Sequence, residues 1–298
     1  MTTVDKWTGL EVRALREARR MTIAQFAEAM NVTERMVSLW EARGESIQPR
    51  AANQDSLDKM LAAAPLDVHE RFCHATGIAI ELPPDEPTAA HHQMRHPVDG
   101  KLMALIPSGV YLAGPNNQPR WLSAFYIDVF PTTNADYHRF VLATGHPAPQ
   151  HWKDGGYDDH LREHPVVWVT HQDAAAYARW AKKELPGAEQ WEKAARGPQG
   201  RTYPWGDAAS IAKTNCRESG IDGLTPVERY HSGVSPYGVY DLCGNAWEWC
   251  STPTTGIRFE LKGSAWTSPF ARCTPSNFND ADETMLDDDT SFRCVCPA

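Results

Sequence analysis

The chain has 298 residues, of which 42% are hydrophobic, 22% charged and 10% aromatic, with a formal net charge of −9. That is a globular composition long enough for one large domain or two smaller ones, and it excludes a collagenous or wholly disordered protein. No stretch approaches the roughly 18 consecutive apolar residues of a membrane span, and MTTVDKWTGLEV lacks the basic-then-apolar layout of a secretory signal, so a cytoplasmic protein with no membrane partner is expected.

Seven cysteines (Cys73, Cys216, Cys243, Cys250, Cys273, Cys294 and Cys296) are an odd number without the dense framework of small secreted domains, which points to reduced thiols. Neither a CxxC pair nor an HExxH is present, so a structural zinc pattern is lacking.

Residues 1–75 carry ten Lys/Arg against eleven Asp/Glu, and residues 76–298 carry nineteen against twenty-seven. Trp7 and Trp40 lie in the first part and the other nine tryptophans in the second, which implies two separate cores. In the first, Leu10, Ala14, Leu15, Ala18 and Met21 recur at helical spacing. Thr22 then fits the N-cap of a helix with Ile23, Phe26, Ala27 and Met30 on one face. Asn31-Val32 breaks that run, and Thr33 can cap a third helix with Val37 and Trp40 inward and Glu34, Arg35 and Ser38 outward. QPRAANQDSLDKMLAAA reads as a further helix.

LREARRMTIAQFAEAMNVTERMVSLWEARGE resembles the helix-turn-helix of the Xre regulators over roughly residues 9–45. The resemblance implies that the helix starting at Thr33 enters the major groove of double-stranded DNA. Thr33, Glu34, Arg35 and Ser38 would then face bases and Gln25 a phosphate. The alternative is a helical protein-interaction module, favoured by the lack of net positive charge. Arg13, Arg16, Arg19, Arg20, Arg35, Arg43 and Arg50 could still form a basic face. One such module touches few bases, so a homodimer on two half-sites is the expected arrangement.

Between Gly77 and Gly100, four prolines and sparse apolar residues read as a linker, giving domains at residues 1–76 and 101–298. His91, His92 and His96 count as linker residues rather than a metal pair, since Pro97 follows directly. From Lys101, β-like runs (MALIPSGVYLAG, FYIDVFPTT, HPVVWVT) alternate with helical ones (ADYHRFVLATG, DAAAYARWAKK, AEQWEKAARG), and a loop-rich tail follows. The fold class is α+β, a small all-α domain followed by a loop-rich one.

LPGAEQWEKAARG (185–197), RTYPWGD (201–207), SPYGVYDLCGNAWEW (235–249), KGSAW (262–266) and SFRCV (291–295) resemble, in order and spacing, the formylglycine-generating enzyme (sulfatase-modifying factor) family. The likeness covers about two hundred residues and implies an elaborated C-type-lectin-like fold; function does not follow from fold alone. It also implies calcium, held by oxygen donors. One site would use Asn215 and Asp222 with the carbonyls of Cys216 and Leu224. The other would use Asp241 and Glu248 with the carbonyls of Leu242, Gly244 and Ala246. For Asn245, Trp247 and Trp249 the residues themselves allow plain packing and turn chemistry.

The family's oxidases hold copper through two nearby cysteines downstream of a Gly-Gly-Ser, because soft thiolates suit Cu(I). In KGSAWTSPFARC the first of these positions is Ser268 and the second Cys273, and Ala265 stands where the family has serine. Copper and formylglycine formation are therefore not expected, and Cys273 would be catalytic only in an oxidase. Ala178, Ala195 and Phe278 replace the extracellular members' disulfide partners, leaving Cys294 unpaired. The usual Thr-Glu after Leu-Pro is Gly187-Ala188, which removes a capping hydroxyl. The iron-dependent members' HxxxHxE motif is absent, and His138, His146, His151, His160, His164 and His171 read as surface or hydrogen-bonded residues.

The leading expectation is a DNA-binding regulator whose second domain recognises an unknown ligand or protein, with Thr267–Thr290 as the binding surface or else as a solvated acidic loop. Alternatives are a copper- or iron-dependent oxygenase tethered by its first domain, and a scaffold of a defence or biosynthetic system.

Overall fold

The computed structural model describes residues 4, 6–62, 64, 66–78 and 92–298, in two compact units, Met1–Pro83 and Pro84–Ala298. Among the described residues no helix is long and apolar enough to cross a membrane.

Among the described residues the first unit holds five α-helices, α1 (Gly9–Ala18), α2 (Ile23–Ala29), α3 (Glu34–Arg43), α4 (Ala51–Ala62) and α5 (Leu66–Thr76). Local chemistry sets the first three starts: Thr8 and Thr22 close capping boxes with Glu11 and Gln25, and the Thr33 hydroxyl accepts from the Met36 amide. Trp7, Val12, Leu15, Phe26, Val37, Trp40, Leu57 and Phe72 form its core. Gly9 lets α1 lie against α3, since a Cβ there would fall 1.8 Å from the Trp40 carbonyl oxygen. Arg16 clamps the same pair of helices, with Nε 2.6 Å from Glu41 Oε1 and Nη2 2.9 Å from Oε2. Of these helices, α5 has no counterpart in the sequence reading.

In the second unit, an antiparallel sheet runs in the order β1 (Gln93–Arg95), β2 (Leu102–Ile106), β5 (Phe125–Asp128), β10 (Val295–Pro297). Strands β3 (Gly109–Ala113) and β4 (Gln118–Leu122) make a hairpin. A second four-stranded sheet has the order β8 (Phe278–Asp282), β7 (Arg258–Lys262), β6 (Trp247–Pro253), β9 (Thr290–Ser291), with only β6 and β9 parallel. Helices α6 (Asn134–Thr144), α7 (His171–Trp180) and α8 (Ala188–Arg196) complete it. Thr133 and Thr170 cap α6 and α7 in boxes with Asp136 and Asp173, and Gly145 ends α6 in the left-handed conformation.

Three expectations are corrected. Residues 92–100 are not linker. Asp99 is buried and accepts from Lys183 Nζ at 2.7 Å, and the same ammonium donates to Asp128 Oδ1 at 2.7 Å, so a partner 84 residues away fixes a segment that reads as extended. His96 is 7% exposed with Nδ1 3.3 Å from Asp99 Oδ1, and His91 lies outside the described residues. The run HPVVWVT forms no strand: Trp168 has φ +58° and its amide donates to the Asp287 carbonyl across a loop. The tail expected as loop contains β6 to β10.

Candidate functional site

On α3, Thr33, Glu34, Arg35 and Ser38 are exposed while Val37 and Trp40 are buried, the facing read from the sequence. Gln25 is exposed too, with Oε1 accepting from the Thr22 amide in the capping box. The expected basic face is thinner than the arginine count implies. Arg13 and Arg16 pair with Glu17 and Glu41, and Arg19 donates to the Met60 carbonyl, whereas Arg20, Arg35, Arg43 and Arg50 are exposed. Met36 and Leu39 on α3 and Leu10 on α1 are also exposed, at 38%, 44% and 46%.

In the second unit Asn215 and Asp241, one from each expected set of oxygen donors, are joined through Asn245 in one knot of loops. The Asn245 amide donates to the Asn215 carbonyl at 2.8 Å, and Asn215 Nδ2 donates to Asn245 Oδ1 and to the Gly223 carbonyl. Gly244 is required there, because a Cβ would lie 2.2 Å from Thr214 Oγ1 and 2.3 Å from the Asn215 oxygen. Asn245, at φ +67°, also takes the Thr225 amide and gives Nδ2 to the Thr225 carbonyl and Asp241 Oδ2, so it is the hub of the knot rather than a cation ligand.

Two groups in the knot are left unbalanced. Asn215 Oδ1 is buried with no hydrogen-bond partner, although buried polar atoms nearly always have one. The Asp241 carboxyl is buried and pushed up to about 7, because desolvation outweighs the single bond from Asn245. An orphan amide oxygen and a buried carboxyl whose desolvation is only partly offset by Asn245 and the charge of Arg293 are donors that could hold a hard cation. Asp222 is exposed, with φ +56°.

Glu248 has another engagement. It is wholly buried, with Oε2 accepting from Arg293 Nε at 2.6 Å and Trp191 Nε1 at 2.7 Å, and Oε1 accepting from Arg293 Nη2 at 2.7 Å. Arg293, missed by the sequence reading, also donates to the carbonyls of Asp128, Val129 and Tyr240. A single chain offers no signal for it beyond the charge inside SFRCV. Trp249 Nε1 donates to the Val169 carbonyl and Trp247 is buried, which is the packing role expected of both.

At the pair of positions where the family holds copper, Ser268 is 7% exposed and its hydroxyl oxygen accepts from the Ala265 amide at 3.3 Å. A hard oxygen already in use does not fit Cu(I), so Ser268 and Cys273 do not make that site. Cys273 is fully buried with Cys216, Cys243 and Tyr203. Its thiol is held below the usual cysteine range by a hydrogen bond with the Cys243 thiol. The cap removed at Gly187 is replaced from outside the helix, the Thr252 hydroxyl accepting from the Ala188 amide at 2.9 Å.

Asp289 is buried and accepts from Thr267 and Thr290, so only part of the acidic run Asp287–Asp289 meets water. Among the histidines, His171 stacks on Phe259 with ring centres 3.7 Å apart, and His146 lies 2.8 Å from Asp173. Both are hydrogen-bonded, as expected, with His171 Nε2 3.2 Å from the Cys250 carbonyl, whereas His164 Nδ1 is buried without a hydrogen-bond partner. An open cleft of about 720 Å³ beside α8 is lined by Arg120, Glu189, Glu192 and Glu260 among others.

Residues 88–298 match the model of the sulfatase-modifying factor enzyme 1-like domain. The Bacillus subtilis protein YfmG is 34% identical over 226 residues, covering 59% of this chain and 45% of its own. The mouse inactive C-alpha-formylglycine-generating enzyme 2 is 30% identical over 235 residues, covering 58% of this chain and 75% of its own. The Streptomyces coelicolor formylglycine-generating enzyme is 33% identical over 184 residues, 44% of this chain and 58% of its own. This chain thus spans less than half of YfmG. The solved structure of Pseudomonas aeruginosa PvdO superposes with TM-score 0.60 at 19% identity, over 71% of this chain and all of that one, a likeness of fold. Treponema denticola variable protein 1 gives 0.56 at 17%, over 71% of this chain and all of its own. Through residues 88–298, the chain belongs to the sulfatase-modifying factor enzyme 1-like domain family.

Proposed function

We propose that this chain is a cytoplasmic DNA-binding regulator. Its first unit, a helix-turn-helix of Xre type, reads duplex DNA through α3, and its C-type-lectin-like second unit recognises a ligand or partner without forming formylglycine. The observation that carries the reading is the facing of α3, where Thr33, Glu34, Arg35 and Ser38 meet solvent above a buried Val37–Trp40 seam. Side chains at the start of such a helix are the ones that reach base edges. Ser268 in place of a sulfur supports a recognition role for the second unit. Asn215 and Asp241, with neighbouring carbonyls, would hold calcium, which would brace the loop knot.

Selection of bound duplexes from a random pool by the full chain tests this. Enriched half-sites in pairs are expected, as a homodimer would give, with binding that weakens as salt rises. Arg35→Ala should cost about 1–3 kcal/mol on the enriched site. A pool with no enriched sequence overturns the proposal. It would favour the second reading, a protein-docking module, which the exposed Met36, Leu39 and Leu10 and the neutralised Arg13 and Arg16 support.

A further inference from the structure

The cleft of about 720 Å³ is walled by the β3–β4 hairpin, the start of α8, Thr252 of β6 and Glu260 of β7. In the hairpin register Tyr111 opposes Arg120 and Ala113 opposes Gln118, and directly opposed residues of an antiparallel pair put their side chains on one face. Ala113, Gln118, Arg120 and Leu122 all line the cleft, so the pleat turns Tyr111 to the same side. Tyr111 is 0% exposed beneath these residues, and its hydroxyl is buried with no hydrogen-bond partner. A second cavity, of about 350 Å³, shares Leu122 and Gln190 with the cleft and carries Glu184, so the two form one trough.

The trough is predominantly acidic. Glu189, Glu192 and Glu260 line the cleft and Glu184 the smaller cavity, against Arg120 as the one lining cation among the described residues. Arg120 Nε lies 3.5 Å from Glu189 Oε1. Glu192 is already in use, with Oε1 accepting from the Gly114 amide at 2.6 Å and Arg196 Nη1 at 2.7 Å, and Oε2 from Lys262 Nζ at 3.3 Å. Glu260 Oε1 stands 3.9 Å from the same ammonium, and burial, reinforced by the charges of Glu192 and Glu189, pushes its carboxyl up. Burial and the same two charges push the Tyr111 hydroxyl up as well, so it keeps its proton and offers a lone pair.

A buried hydroxyl without a partner and a carboxylate among like charges are both satisfied by a cation that carries N–H groups. A single metal ion does not suit the place, since among the described residues three acidic groups with ligand atoms within 4.8 Å of one another occur at Asp287–Asp289 and not here. Carboxylates spread along a trough, with Ala113, Leu122 and Ala188 in its walls, match an alkyl chain with ammonium groups along it. We propose that the trough binds a linear aliphatic polyamine, with one ammonium between the Glu260 carboxylate and the Tyr111 hydroxyl oxygen and the chain running toward Glu184. This gives the second unit's recognition role a ligand class and rests on that role. It involves no DNA, so its failure would leave the outcome of duplex selection standing.

Isothermal titration calorimetry of the full chain with spermidine tests this, at physiological ionic strength so that loosely attracted polycation is screened. The wild type should bind about one spermidine per chain. Glu260→Gln should weaken binding at least about tenfold and Tyr111→Phe about fivefold, while Asp159→Asn, which removes an exposed carboxylate elsewhere, matches the wild type. Tyr111→Phe changes no charge and removes a hydroxyl that lacks a partner, so it should melt no lower than the wild type, and its weaker binding then reports the site rather than the fold. The proposal fails if the wild type gives no saturable heat, if Asp159→Asn weakens binding as much as Glu260→Gln, or if Tyr111→Phe binds like the wild type or melts lower.

Discussion

Glu248→Gln separates a structural carboxylate from a cation ligand. In the structure both members of the Glu248–Arg293 pair are wholly buried, with two charge-assisted bonds of 2.6 and 2.7 Å, and the Trp191 indole adds a third at 2.7 Å. Glutamine keeps one acceptor, but its amide N–H faces donors and leaves the guanidinium without a counter-charge. Breaking one side of such a pair costs about 3–5 kcal/mol. Urea unfolding followed by tryptophan emission reports mainly on the second unit, which holds nine of the eleven tryptophans. Arg293→Met should cost a similar amount, and the double variant less than the sum of the two by about 2–3 kcal/mol, as coupled neighbours do. The loss should be the same in EGTA and in calcium, because arginine already neutralises the carboxylate. A loss below about 1 kcal/mol, or one that appears only with calcium, refutes the assignment of Glu248 to Arg293.

Calcium at a hundredfold excess over its dissociation constant should stabilise the wild type by about 2.7 kcal/mol and leave Asp241→Asn unmoved in thermal melts; an unshifted wild type removes calcium from the account. Lys193, with Nζ donating to the carbonyls of Pro107 and Gly109, is pushed down to about 8 by burial. Above that pH the folded chain has released a proton that the unfolded chain keeps until about 10.5. Relative to Lys193→Met, wild-type stability should therefore rise across that window by ~3 kcal/mol; a flat difference in denaturation midpoints contradicts it. Thr252→Val, which removes the acceptor at the start of α8, should cost about 1 kcal/mol by the same urea assay, and a neutral result would mean that water caps the helix as well.

What could be read from the sequence was what neighbours in the chain decide. Thr22 and Thr33 cap their helices within three residues, and the inward facing of Val37 and Trp40 follows from helical period alone. The segment around Asp99 misled because its order comes from Lys183, and HPVVWVT misled because the Trp168 amide bonds to a loop more than a hundred residues later. At the candidate site the motifs brought Asn215 and Asp241 into view as donors. The pairing of Glu248 with Arg293 and the hydrogen bond from the Cys243 thiol to the Cys273 carbonyl depend on register between distant loops, which periodicity does not encode.

The closing segment of the chain is tied to its early strands. β10 pairs with β5, Arg293 donates to the carbonyls of Asp128 and Val129, and the Cys294 amide donates to Asp128 Oδ2. Because these partners are some 165 positions apart, the larger unit has a late-closing topology. During synthesis the five-helix unit can acquire its native state while the ribosome is still extending the rest. The other unit must wait, with its first sheet short of an edge strand, until residues 293–297 emerge. A truncation before residue 293 would therefore spare the helical unit and leave a larger unit unable to mature.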